Sequence, residues 1–175
     1  MSQLAATDAT SREAIAHLAG KYLTFELGLE TYGLPILNVQ EIIGMMPVTR
    51  VPRTPGFVRG VVNLRGRVIP VIALRRKFDL EDRADDEKTC IIVVQIEVAT
   101  GELTVGIIVD AVSEVLNIEC KQIERPPEFG TTVEMDFILG VGKVGNRIVM
   151  LLDTSRILTA GEFGLAAQAA VNEQM

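Results

Sequence analysis

The chain has 175 residues, 48% of them apolar, 5% aromatic and none Trp, which suits one or two small domains with an aliphatic core. No apolar run reaches the ~20 residues of a membrane helix, and the first residues lack the charge-then-apolar order of a signal peptide. Net charge is −6, yet no acidic residue lies between Glu41 and Asp79, the interval that holds Arg50, Arg53, Arg59, Arg65, Arg67, Arg75, Arg76 and Lys77. A basic patch on an acidic chain implies an acidic partner surface or nucleic acid. Cys90 and Cys120 fit no zinc or redox spacing, so reduced thiols in a cytoplasmic protein are expected, with Cys90 buried and inert.

Residues 1–20 are small and polar and read as a mobile arm, with a short helix around Ser11–Leu18. Lys21–Leu27 alternates as a half-buried strand, Gly28–Glu30 turns, and Thr31–Ile36 is a second strand. The apolar spacing at Ile36, Val39, Ile42 and Ile43 predicts a short helix over Leu37–Ile43, with Glu41 pointing away from its stripe. Pro47, Pro52 and Pro55 break the next stretch into a short strand and a loop. The apolar runs Phe57–Leu64 and Val68–Ile72 flank Arg65-Gly66, a hairpin whose glycine accepts φ > 0. Pro70 cannot donate to a ladder, which places its strand at an edge or gives it an irregular end. Arg75–Lys88 reads as an exposed charged linker.

From Thr89 the pattern restarts. Cys90–Glu97 and Leu103–Val109 read as strands around a tip at Ala99–Glu102, and Ala111–Leu116 as a short helix. Pro126-Pro127 marks a loop. Phe137–Val144 and Arg147–Leu152 form a hairpin over Gly145-Asn146, Thr154–Leu158 starts a short helix, and Glu162–Val171 reads as a C-terminal helix. The restart is an internal repeat. Gly33, Val39 and Glu41 fall on Gly106, Val112 and Glu114, while Gly60, Val61 and Arg67 fall on Gly140, Val141 and Arg147. The two copies span about 21–75 and 89–155. Five short strands in each close most readily as a small barrel. The expectation is mainly β: two five-stranded barrels packed together with a groove between them. An exchange of strands between the halves is left open.

Gly140-Val-Gly142-Lys-Val-Gly145 satisfies G-x-G-x-x-G literally. A dinucleotide site needs that loop to open a helix, and here a β-branched pair follows a Gly-Asn turn. His17, in the arm, is the only histidine, so Ser113 and Ser155 have no base to activate them. No carboxylate or histidine cluster shows metal spacing. The residues ask for no catalysis, no metal, no nucleotide and no cofactor.

Val39-Gln-Glu-Ile42, Gly60-Val-Val-Asn-Leu-Arg-Gly66, Val68-Ile-Pro-Val-Ile72 and Val105-Gly-Ile-Ile-Val-Asp110, with Val112 and Val115, resemble the CheW family, the adaptors that couple chemoreceptors to the histidine kinase CheA in bacterial chemotaxis. The similarity covers about residues 21–158, and 159–175 reads as a helical tail. It implies two SH3-like barrels, a non-catalytic role, and a cytoplasmic protein recruited to membrane-associated receptor arrays. The length leaves no room for the added receiver domain of CheV-type proteins. The implied partners are the CheA regulatory domain and the cytoplasmic tip of chemoreceptors, with no nucleic acid and no membrane insertion. By the same resemblance, Glu41 and Arg65 form a pair beside the groove and Val39 touches a partner. Arg59, Gly60, Asn63 and Leu64 belong to the receptor- and kinase-facing hairpin. Ala73 stands where the family often has an acidic residue. The competing reading is a small-barrel nucleic-acid binder using the basic 50–77 interval. It lacks the exposed aromatics such binders stack on bases, since the interval offers only Phe57 and Phe78.

Overall fold

The computed structural model describes residues 17–98, 101–126 and 137–157. The expected N-terminal arm helix, the tip at 99–100, the loop over 127–136 and the C-terminal helix fall wholly or mostly outside them. The strands are β1 (Gly20–Leu27), β2 (Glu30–Pro35), β3 (Val39–Gly44), β4 (Val58–Leu64), β5 (Arg67–Ala73), β6 (Cys90–Val98), β7 (Gly101–Val109), β8 (Ala111–Ile118), β9 (Ile123–Glu124), β10 (Ile138–Val144) and β11 (Arg147–Leu152). One short α-helix, α1 (Leu74–Lys77), follows β5, and single 3₁₀ turns cover Ile36–Asn38, Cys120–Gln122 and Thr154–Arg156.

The strands form two sheets, β8-β1-β2-β11-β10-β9 and β3-β6-β7-β5-β4, the two small β-barrels expected. Neither is drawn from one half of the chain. The hairpin β1–β2 joins strands of the second copy, and β6–β7 joins strands of the first, so the repeat trades hairpins. The correspondence is close. Gly33 pairs with Leu151 in the parallel seam of one sheet, and Gly106 pairs with Val71 in that of the other. The register of β4–β5 shifts between Val58 and Gly60, and that of β10–β11 between Ile138 and Gly140. The Ala73 amide donates to Phe57, and the Asp153 amide to Phe137, both at 2.8 Å.

The core explains the long apolar runs. Ile92, Val94, Ile107, Ile72, Phe25, Leu34 and Leu152 meet in one cluster between the sheets. Their chain neighbours Ile91, Val93 and Val71 fill the second barrel, and Tyr22, Val149 and Leu151 fill the first. Strands buried on both faces read as continuous rather than alternating apolar sequence. Each fully buried aliphatic side chain contributes about 1.5–3 kcal/mol.

Three expectations are corrected. Leu37–Ile43 and Ala111–Leu116 are not helices: only Ile36–Asn38 makes a helical turn, and β3 and β8 follow. Val39, Glu41 and Ile43 are half-buried while Gln40 and Ile42 face out, so the true period is two. The exposed Ile42 gave the false helical stripe, and the β-branched residues favour a pleated strand. Secondly, β5 is interior. Its parallel ladder to β7 begins at Val71, one residue after Pro70, which pairs with Val61 of β4 alone. The missing N–H therefore falls outside the β7 ladder. Thirdly, 75–88 is more than a solvated linker. It starts within α1, is fastened to β4 by the Arg59–Asp85 ion pair, and is braced within itself by Arg76–Asp82 and Arg83–Asp86.

The tightest fastening is Asp110, between β7 and β8, where the chain passes from one barrel to the other. Arg75 holds its carboxylate with two forked bonds, Nε at 2.7 Å and Nη2 at 2.6 Å. The Gly28 amide donates to it at 2.8 Å from the tip of β1–β2. Burial pushes the Asp110 carboxyl up. The Arg75 hydrogen bonds, the Gly28 amide and the charges of Arg75 and Arg83 outweigh it and hold the group below the ordinary carboxylate value. A folded pKa below the unfolded one gives stability that is present above the unfolded value, about 3.9, and is lost as pH falls through the folded one. Asp82, held low by its Arg76 hydrogen bonds, and Asp86, held low by the Lys88 amide, act in the same direction. Urea titrations should therefore show unfolding free energy falling below about pH 4. Asp110→Asn should cost about 2 kcal/mol at neutral pH and flatten part of that acid slope.

Candidate functional site

The Leu64–Arg67 turn reverses β4 onto β5 with positive φ at both central residues, 51° at Arg65 and 86° at Gly66. That is the backbone of a type I′ hairpin, which suits the strand twist and favours Asn or Gly over other residues. The Asn63 Oδ1 accepts the Gly66 amide at 2.9 Å and ties the turn from one side. Asn63→Ala should loosen it and lower stability by about 1 kcal/mol, measured by chemical denaturation with α1 and the core untouched.

Arg65 reaches from this turn to Glu41 on β3. Strands β3 and β4 are the two ends of their sheet, so the pair spans the seam where the barrel does not close by backbone hydrogen bonds. In the other barrel Arg147, at the start of the interior strand β11, bonds Glu114 of the end strand β8 at 3.0 Å, although by the repeat its counterpart is Arg67 and not Arg65. Arg65 is 69% exposed and Glu41 32%. Such a pair is screened and contributes about 0–1 kcal/mol. Its effect is to aim the hairpin rather than to hold the fold.

The seven expected site residues fall in three places. Glu41, Asn63, Leu64 and Arg65 gather at the hairpin, with Leu64 half-buried against the barrel interior. Arg59 and Gly60 lie towards the far end of β4, about 10–17 Å from Asn63 and Leu64 by strand rise. Arg59 there bonds Asp85 at 2.7 Å. Gly60 takes φ 146° and allows Thr49 to lie against β4, with Thr49 and Val61 exchanging backbone bonds of 2.9 and 2.8 Å. Val39 starts a strand rather than sitting on a helix, and it packs against the core between the sheets. Ile42 was missed. It is 45% exposed one residue from Glu41, and reading β3 with period two would have found it.

The basic interval is largely answered from within. Arg59, Arg75 and Arg76 pair with Asp85, Asp110 and Asp82, and Lys77 lies over the Phe57 ring. This leaves little of the open cationic track that nucleic acid requires. The literal G-x-G-x-x-G lies in β10 and its turn and opens no helix. Among the described residues no group of three or more His, Cys, Asp or Glu could hold a metal ion. Burial pushes the Cys90 thiol up despite a backbone hydrogen bond from Val112, which makes it a poor nucleophile. No helix among the described residues is long and apolar enough to cross a membrane.

The family described as "CheW-like domain" matches residues 21–162. The chain belongs to this family. The chemotaxis protein CheW of Klebsiella aerogenes is 41% identical over 161 residues, covering 89% of this chain and 95% of that one. That of Helicobacter pylori is 36% identical over 138 residues, covering 79% and 81%. Among solved structures, the scaffolding protein TtCheW of Thermoanaerobacter tengcongensis superposes with a TM-score of 0.72 at 34% identity, covering 82% of this chain and 95% of that one. CheW-like proteins are chemotaxis scaffolds rather than enzymes. Nothing in these relatives supports the nucleic-acid reading.

Proposed function

We propose that this chain is a cytoplasmic adaptor that binds the regulatory domain of the histidine kinase CheA and the cytoplasmic tip of a chemoreceptor, and is carried by them to membrane-associated arrays. Residues 21–158 form the functional unit. The observation that carries the site is the Glu41–Arg65 pair, stretched across the seam of the second barrel beside the exposed Ile42. It offers a guanidinium fork and a carboxylate on the face of β3 that Glu41 shares with Val39 and Ile43, and Ile42 adds an aliphatic contact on the opposite face of the same strand. A guanidinium already oriented by an intramolecular partner loses less freedom when it meets a partner's carboxylate. Asn63 and Leu64 set the position of that fork, and Val39 sets the strand that carries Glu41. Gly60 and Arg59 act at the other end of β4, on the segment that supports it. A receptor tip is a helical hairpin, and its apolar face suits a groove between the barrels.

The test is co-elution of the purified chain with a CheA regulatory domain and, separately, with a soluble receptor-tip fragment. Binding to both is expected. Arg65→Glu should weaken at least one of them while the β-type circular dichroism spectrum is kept; unchanged binding to both would overturn the site assignment.

A further inference from the structure

A recess of about 810 Å³ lies beside the start of β4, apart from the Glu41–Arg65 patch. Met45, Met46 and Val58 give it apolar lining, and Arg50, Arg59 and Arg76 give it cations. The chain's own acidic stretch lies across its edge. Asp85 accepts from Arg59 at 2.7 Å, and Asp82 accepts two forked bonds from Arg76 at 2.9 and 3.1 Å. Asp79–Glu87 carries six acidic residues, so the basic interval is answered by the segment that follows it. Two features show that the answer is incomplete. Arg50 makes no hydrogen bond or ion pair among the described residues. In addition, the acidic stretch offers only the small Ala84 to the apolar lining, and most of the volume stays open.

We propose that this recess docks a partner protein's acidic segment carrying one larger apolar side chain, and that Asp82–Asp85 covers its edge until such a segment displaces it. The charge complementarity is set by the chain itself: two carboxylates already sit in forked or single contact with Arg76 and Arg59. A competing segment makes the same bonds, adds one to Arg50, and fills the lining. Methionine suits such an exchange because its flexible thioether adapts to differing side chains. The internal pairs are exposed and individually weak, so their replacement is easy, whereas matched charge selects acidic partners over basic ones. The proposal goes beyond the adaptor reading and does not depend on it. A chain that bound neither CheA nor a receptor through its hairpin would still dock the segment here.

The probe is a fluorescein-labelled peptide with the sequence of residues 79–87, together with a second peptide carrying Ala84→Leu, titrated at low salt against the full chain. The Asp82→Asn/Asp85→Asn chain should bind the peptide about ten-fold or more tighter than the unaltered chain, and the Ala84→Leu peptide tighter still. Arg50→Glu in that background should weaken binding about ten-fold. Equal affinity for the altered and unaltered chains, or indifference to Arg50→Glu, overturns the proposal. Inorganic phosphate or a single-stranded oligonucleotide displacing the peptide at equal charge concentration assigns the arginines to phosphates and overturns it as well. A measurement on the unaltered chain guards against misfolded variants: saturating peptide should shift the amide resonances of Met45, Met46, Arg50 and Val58. Shifts confined to other regions count against the recess.

Discussion

Gly60→Ala is expected to lower the unfolding free energy by about 3–5 kcal/mol, a large share of the roughly 5–15 kcal/mol that holds a domain of this kind. A Cβ on Gly60 would stand 2.2 Å from the Thr49 carbonyl oxygen and 2.8 Å from both the Thr49 carbonyl carbon and a Val48 methyl. The nearest obstacle is backbone, and it cannot yield freely: that oxygen accepts the Val61 amide at 2.8 Å, and the Thr49 amide bonds Val61 in return. Relief means prising 48–49 off β4, which forfeits those bonds. The φ of 146° adds backbone strain for any residue with a side chain. Gly66→Ala is the internal control. It too has positive φ, but a methyl group there would find nothing within 4 Å, so the cost is the left-handed penalty alone, about 1–2 kcal/mol. Urea unfolding of the two variants should separate them clearly. Similar costs would mean that 48–49 does not pack on β4 in solution. Because Met45 and Met46 lead into that segment, Gly60→Ala should also abolish peptide docking in the recess. The structural demand on Gly60 is thus the close approach of two backbones.

Much of the fold was legible because its strongest signals are local. The β4–β5 and β10–β11 hairpins follow from apolar runs broken by Arg65-Gly66 and Gly145-Asn146, and the coincidence of Gly33 with Gly106 and of Gly60 with Gly140 exposed the repeat. The exchange of hairpins between the barrels was not legible. Apart from the two-residue β9, each copy contains the same strands in the same order, and which copy a hairpin pairs with is decided by long-range packing that leaves no local trace. The false helices at β3 and β8 have a more specific cause. Ile42 and Val115 are exposed, 45% and 49%, and an apolar residue facing water spoils a period-two count. The same two residues sit next in sequence to Glu41 and Glu114, the carboxylates paired with Arg65 and Arg147. The candidate site was half legible. The resemblance led to Glu41 and Arg65, which meet, and also to Arg59 and Gly60, which the extended strand carries to the other end of β4. The pairing of the basic interval with 79–87 was hidden because composition records charge and not the direction in which it points.

Arg65 should respond to substitution with opposite signs in stability and in binding. Its φ of 51° is unfavourable for an arginine, and the matching turn of the other barrel has Gly145, φ 62°, in that place. Arg65→Asn keeps a residue that tolerates the left-handed backbone and removes the guanidinium. The strain relieved, about 1 kcal/mol, is set against an exposed ion pair of about 0–1 kcal/mol, so stability should stay level or rise by up to about 1 kcal/mol. Binding to the partner that uses the hairpin should fall more than about ten-fold, equivalent to 1.4 kcal/mol. Arg65→Glu should fall further, since it also sets two carboxylates against each other across the seam. The exchange Glu41→Arg with Arg65→Glu then decides what the pair does. If its function is only to steady the hairpin, the swapped pair restores binding. If Arg65 meets a partner carboxylate directly, the swap restores stability and leaves binding lost. We expect the second result, because a strained, exposed arginine that contributes little to stability is retained for what lies outside the chain. Isothermal titration beside urea unfolding on the same four proteins reads both quantities. A loss of binding that simply tracks a loss of stability would overturn this account of Arg65.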